Sequence, residues 1–289
     1  MTGTTALAMV LALSWTTAGL RCGGGSFAVR RATRCMVATR MAELRETRDE
    51  LRRGLSKDGF VSAKAVDVTR AVKEVTGLQD CLPMAATALG RAIASVVLIA
   101  DGLDDEETFQ VRFVGDGPLR GVFAVSNGRL ETRGYVGNPR LDLAGSVKAG
   151  VGGGQLQVVR LKNLPGEEEL SPYSSVVDIT SGEIAEDINY FVATSEQREG
   201  ALSAGVSFSD LDELDGCGGW RVELLPGAPQ EVAEHLLKNI QKVIDDKVTT
   251  TSLLKAGNSC DAVLRTARGV EGPFLFFFRA RMMRAQIVF

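Results

Sequence analysis

A chain of 289 residues with 45% hydrophobic content can bury a sizeable core. Its 33 basic and 36 acidic side chains are mixed along its length, which excludes the basic stripe of a nucleic-acid scaffold. Cys22, Cys35, Cys81, Cys217 and Cys260 are too dispersed for a disulfide framework or a zinc knuckle, and the lone His235, in a helical pattern, is expected at the surface.

Residues 1–40 read as a targeting presequence. Ala6 to Trp15 is an apolar run too short to cross a bilayer as a mature helix, but it has the length of a signal-peptide core. Arg21, Arg30, Arg31, Arg34 and Arg40 follow with no acid before Glu43, as in a transit peptide. The two runs in succession, with Phe27 near their junction, predict delivery to a plastid with extra membranes. A mitochondrial presequence is the alternative, and initiation at Met36 or Met41 would leave the protein in the cytoplasm.

The segment Leu82 to Ala100 is apolar nearly all round, with Pro83 suited to a first helical position and Asp101-Gly102 as a stop. A helix without a polar face is buried, and Ala85, Ala86, Ala88 and Gly90 admit close neighbours. Phe109, Val111 and Phe113 alternate with Gln110 and Arg112, the period of a half-buried strand. Gly115 to Pro118 turns the chain, and Asn127-Gly128 marks a hairpin between Val122–Val125 and Leu130–Thr132. Consecutive short strands predict mixed or antiparallel sheets rather than repeated strand–helix–strand units. Gly150 to Gly154 lacks the Lys and Ser/Thr of a phosphate loop, so a turn before the strand Gln155–Val159 is expected.

Thr180-Ser-Gly-Glu183 has the form of a capping box. Behind it, Ile184, Ile188, Phe191 and Val192 share one helical face. Glu183, Glu186 and Asp187 could be imagined as an acid–base cluster, but first-turn charge explains them without catalysis. No Ser/His/Asp or Cys/His arrangement accompanies them, and there is no Walker motif. Further on, Val232, Leu236, Leu237, Ile240, Val243 and Ile244 mark the apolar face of an amphipathic helix, with Glu234, Lys238, Lys242 and Asp245 elsewhere around it.

Several local signatures come in a telling order: Gly54-Leu-Ser-Lys-Asp-Gly59, Thr87-Ala-Leu-Gly-Arg91, Val114-Gly-Asp-Gly-Pro-Leu119, Gly134-Tyr-Val-Gly-Asn-Pro139, Ser181-Gly-Glu-Ile-Ala-Glu-Asp187, Ser195-Glu-Gln197 and Leu224-Leu-Pro-Gly-Ala228. Together they resemble the 33-kDa redox-regulated heat-shock chaperone family. The resemblance implies an α+β chaperone core over residues 41–228, followed by a helical linker over 229–268. It also implies ATP-independent holding of unfolded proteins under oxidative stress, with no enzymatic activity, no nucleic-acid partner and a homodimer as one possible assembly. A linker of this family unfolds to expose apolar surface, which makes Leu236, Leu237, Ile240, Val243 and Ile244 the candidate client-binding residues.

Members of that family carry four cysteine thiolates on one zinc ion. Here residues 269–289 diverge, with no Cys-x-Cys or Cys-x-x-Cys pair, so the chain supports no zinc site of its own. A truncated or misread gene end is the preferred explanation, with genuine loss of the redox module as the alternative. Cys217 and Cys260 remain the only candidate redox pair. Phe274 to Phe278 is too short to span a membrane, so no stable membrane insertion is expected. The competing functions are a constitutive protein-binding module without a redox switch, and a small-molecule enzyme using the carboxylates around Glu183.

Overall fold

In the computed structural model, residues 49–162, 171–246, 249–255 and 279–282 are described. The expected presequence, Cys22, Cys35, Cys260 and Phe274 to Phe278 lie outside them. In chain order the elements are β1 (Glu50–Leu55), β2 (Val61–Asp67), α1 (Thr69–Leu78), α2 (Pro83–Ala100), β3 (Thr108–Gly115), β4 (Val122–Asn127) and β5 (Thr132–Val136). There follow α3 (Val147–Val151), β6 (Gly154–Lys162), β7 (Ser171–Asp178), α4 (Ile184–Ser195), β8 (Gly200–Phe208), β9 (Leu214–Leu224), α5 (Gln230–Asp245), α6 (Thr250–Lys255) and β10 (Arg279–Met282).

Two five-stranded sheets result, ordered β10-β1-β2-β9-β8 and β5-β4-β3-β6-β7. Every pairing is antiparallel. The α+β reading therefore holds, with the sheets antiparallel rather than mixed. The nearly all-apolar helix α2 packs on β2, β8 and β9 of the first sheet and on β3, β4 and β5 of the second. Contact on both sides explains its composition: a helix with two apolar neighbours has little surface on which to place charge, and Arg91 is its one charged residue. It is long and apolar enough to cross a membrane by length and composition, yet 83% of it is buried inside the fold. Gly90 lets it approach the first sheet, because a Cβ there would sit 2.8 Å from Val206 Cγ2 and 3.1 Å from Cys217 Sγ. Phe109, Val111 and Phe113 of β3 are fully buried on the α2 side, as their alternation predicts.

The first sheet is apolar on its other face as well. Val61, Ala63 and Ala65 of β2 and Trp220 and Val222 of β9 form a second, smaller core with Leu236 of α5. Partly buried Val232, Ile240 and Leu253 pack against it, so α5 and α6 roof this side of the sheet.

Two local expectations are corrected. The β4–β5 hairpin forms, but the left-handed residue is Leu130 at φ 67°, not the Asn127-Gly128 pair. Leu130 N–H donates to the Asn127 carbonyl and Asn127 N–H to the Glu131 carbonyl, which makes a longer loop than the two-residue turn Asn-Gly favours. The capping box does not form either. Helix α4 begins after Glu183 with no side-chain cap on its N-terminus. Instead the carboxylate of Asp187 accepts the amides of Thr180, Ser181 and Gly182 and the Thr180 hydroxyl. Gly182, at φ 74°, turns the chain so that its amides converge on Asp187. Ile184, Ile188, Phe191 and Val192 are buried on one face, as their spacing predicts.

Candidate functional site

Helix α5 carries the residues singled out as a binding stripe, and the structure divides them. Leu236 and Val243 are 7% and 8% exposed, and Ile240 packs on the same small core. Leu237 and Ile244 are 65% and 61% exposed. Positions 232, 236, 240 and 243 run along one side of the helix, whereas 237 and 244 are two turns apart on its flank. A docking face and a separate exposed apolar pair thus share one short helix. No side-chain cap holds its N-terminus, where Pro229 precedes the first turn.

The signature segments meet one another at turns and junctions. Gly152 N–H and Gly153 N–H, in the glycine-rich loop, donate to the Lys148 carbonyl and to Asp116 Oδ1, the latter at 2.8 Å. Gly117 and Leu119 donate amides to the carbonyls of Val151 and Gly150 at 3.0 and 2.9 Å. That loop therefore grips the β3–β4 turn, and its glycines have this structural use rather than a phosphate-binding one. Leu82 N–H donates to the Pro139 carbonyl at 2.8 Å, seating the start of α2 against the segment after β5. Arg91, in the middle of α2, pairs with Glu183. Glu183 and Asp187, the imagined acid–base carboxylates, are thus engaged in holding α2 and the α4 entry turn.

The two described thiols are held protonated by their surroundings. Cys217 in β9 is fully buried, and burial pushes its thiol well above the ordinary range, with Asp67 and Asp49 adding to the effect. Cys81, half-buried in the loop before α2, is pushed up to about 11 by burial and by Asp80. It lines a cleft with Lys73, Asp80, Phe208, Asp212 and Leu214. Cys217's candidate partner, Cys260, lies outside the described residues. Among the described residues no group of three or more His, Cys, Asp or Glu is arranged to hold a metal ion.

Charge is concentrated between the two sheets, a feature that sequence spacing could not show because its members come from six separate segments. Arg160 of β6 donates to Glu196 at 2.6 Å, both largely buried. Arg198 bridges Glu196 and Glu223, and Arg221 lies 3.1 Å from Glu223. A second group joins Arg53 and Lys64 to the fully buried Asp101. Burial lowers the Lys64 and Arg221 pKa values, against the pull of Asp101 and Glu223.

Comparison with known proteins gives a consistent result. The profile of the Hsp33 protein family matches residues 49–276. A 33 kDa chaperonin of Desulforamulus reducens is 35% identical over 234 residues, covering 78% of this chain and 76% of its own. One of Listeria monocytogenes is 32% identical over 231 residues, covering 77% and 76%. The crystal structure of the 33 kDa chaperonin of Thermotoga maritima superposes with a TM-score of 0.71 at 28% identity, covering 83% of this chain and 80% of that one. The sheets, the central helix and the junction segments of this chain are those of a member of the Hsp33 family.

Proposed function

We propose that this protein is an ATP-independent holdase that binds unfolded polypeptides and keeps them from aggregating. The observation that carries the proposal is family membership over residues 49–276. The amphipathic helix α5 supports it, with its two kinds of apolar residue: Leu236 and Val243 turned in, Leu237 and Ile244 left out. Surface of that kind suits apolar client segments. The enzyme reading has less support, because Glu183 pairs with Arg91 and Asp187 is occupied by backbone amides.

Unlike the redox-regulated members that the resemblance brings in, this chain is read as a constitutive holdase without structural zinc. Buried Cys217 is a poor thiolate, and the described residues offer no metal cluster. The two-part leader supports delivery to a plastid. The test is suppression of aggregation of a thermally unfolding enzyme, without nucleotide, by reduced and by peroxide-treated protein of known zinc content. The expected outcome is protection at near-equimolar ratio, equal in both states, with less than stoichiometric zinc. No protection in either state defeats the holdase reading. A large gain on oxidation defeats only the constitutive one.

A further inference from the structure

The second sheet has one face packed on α2 and one that no described element covers. Its cross-strand register sets Tyr135, Phe123, Arg112, Gln157 and Val176 side by side across all five strands. The next row runs Arg133, Val125, Gln110, Val159 and Ser174. Tyr135 and Val176 are exposed, as is Val114 near the end of β3. Tyr135 and Phe123 stack with ring centroids 5.0 Å apart. The face is thus aromatic and valine-rich, broken by glutamines and two arginines.

The two edges of this sheet are treated differently. At β5, the Gln79 side chain imitates a neighbouring strand: its Nε2 donates to the Gly134 carbonyl at 3.1 Å, and its Oε1 accepts Val136 N–H at 3.2 Å. Such capping is how a sheet protects an edge from stray pairing. Among the described residues, the edge at β7 has no such cap. Ile179 N–H donates to the Gly154 carbonyl at 2.9 Å, and Gln155 lies opposite Asp178. Bonds to β6 therefore fall on Val177, Ser175 and Tyr173, and the amides and carbonyls of Ser174, Val176 and Asp178 point away from the sheet. Those same residues carry their side chains on the uncovered face.

We infer that the free β7 edge, with the face beside it, takes up extended polypeptide segments by strand addition. This inference rests on the holdase reading and names the site and the chemistry of its occupant. An added strand would bond its main chain to Ser174, Val176 and Asp178, which is independent of sequence and suits varied clients. Its alternate side chains would continue the face beside Val176, favouring apolar residues there. Donors and acceptors alternating along a strand match a polypeptide backbone; the sugar–phosphate backbone of a DNA strand presents acceptors alone.

The test uses the full-length protein and a permanently unfolded acidic polypeptide, reduced and carboxymethylated α-lactalbumin, with a single-stranded oligonucleotide as the rival ligand. On adding the polypeptide, amide exchange at Ser174, Val176 and Asp178 should slow, while the already bonded Ser175 and Val177 change little. Val176→Pro removes a donor that the fold does not use, at an edge position where proline is tolerated. It should weaken polypeptide binding about tenfold or more, and Tyr135→Lys on the exposed face should weaken it too. Unchanged exchange at those amides in the parent, or full binding by both variants, overturns the inference even if Val176→Pro proves unstable. Oligonucleotide binding that slows the same amides also overturns it. A parent that neither binds the unfolded chain nor suppresses aggregation defeats the holdase reading as well; a parent that does both while its variants match it defeats the β7 site alone.

Discussion

Asp49 shows how one residue can serve a distant helix. It is 4% exposed, and its two carboxylate oxygens accept the amides of Arg70 and Ala71 at 2.8 and 2.9 Å, capping α1 from the start of β1. Burial nevertheless wins over those bonds and pushes its carboxyl up from 3.8 to about 6. A folded-state value above the unfolded one means that the folded protein holds the proton more tightly. The stabilisation from this group is therefore fully present below about pH 4 and lost as pH rises through about 6, with an upper limit of about 3 kcal/mol. Asp49→Asn should flatten the pH dependence of stability across that window, read from urea unfolding at pH 4.5 and 7. An unchanged slope would show that the carboxyl ionises normally. The capping could not be read from sequence, because Asp49 and Arg70 are neighbours only after β1 and β2 have paired.

At the scale of the element, α5 was legible as a helix but not as two surfaces. Its period predicts one apolar stripe, and the first sheet divides that stripe by touching only part of it. Leu236→Ala should cost about 2–3 kcal/mol, because it empties space in a small core shared with Trp220 and Val222. Leu237→Ser and Ile244→Ser should each change stability by less than about 0.5 kcal/mol, since both side chains already face water. If α5 contributes to client contact while docked, the exposed double variant should protect clients less at unchanged melting temperature. Equal protection by that variant would assign client contact to other surfaces. Expecting the stripe to act as a unit overlooked that a helix on a flat sheet buries only the side facing it. The capping box failed for a related reason: the Thr180 hydroxyl donates to Asp187, and the Glu183 amide it would have accepted goes to Ser181 Oγ instead.

For the whole molecule, the ion chain Arg160–Glu196–Arg198–Glu223–Arg221 ties β6 of one sheet to the segment after α4 and to β9 of the other sheet. Paired buried charges contribute little net stability, but removing Glu196 leaves Arg160, largely buried, without its carboxylate partner, while Arg198 keeps Glu223. Glu196→Ala should therefore cost about 3–5 kcal/mol in equilibrium unfolding, more than its own contacts suggest. The joint replacement Arg160→Met with Glu196→Leu should cost much less. If the single variant is as stable as the parent, water reaches the network and it does not lock the sheets.

By itself the sequence determined the elements whose pattern is local. The alternation in β3, the nearly all-apolar run of α2 and the one-faced spacing in α4 each reflect a single chain segment answering to its own period. The order of the signature segments likewise pointed to the family before any coordinates. Tertiary structure alone decided which apolar residues of α5 are covered, that Asp49 caps α1, that Gln79 closes the β5 edge while no described residue caps β7, and that six separate segments pool their charges between the sheets. Each of these depends on groups far apart in the chain meeting through strand pairing or sheet packing. Burial and hydrogen-bond partnership are properties of the meeting, and neither is encoded at the positions taken one at a time.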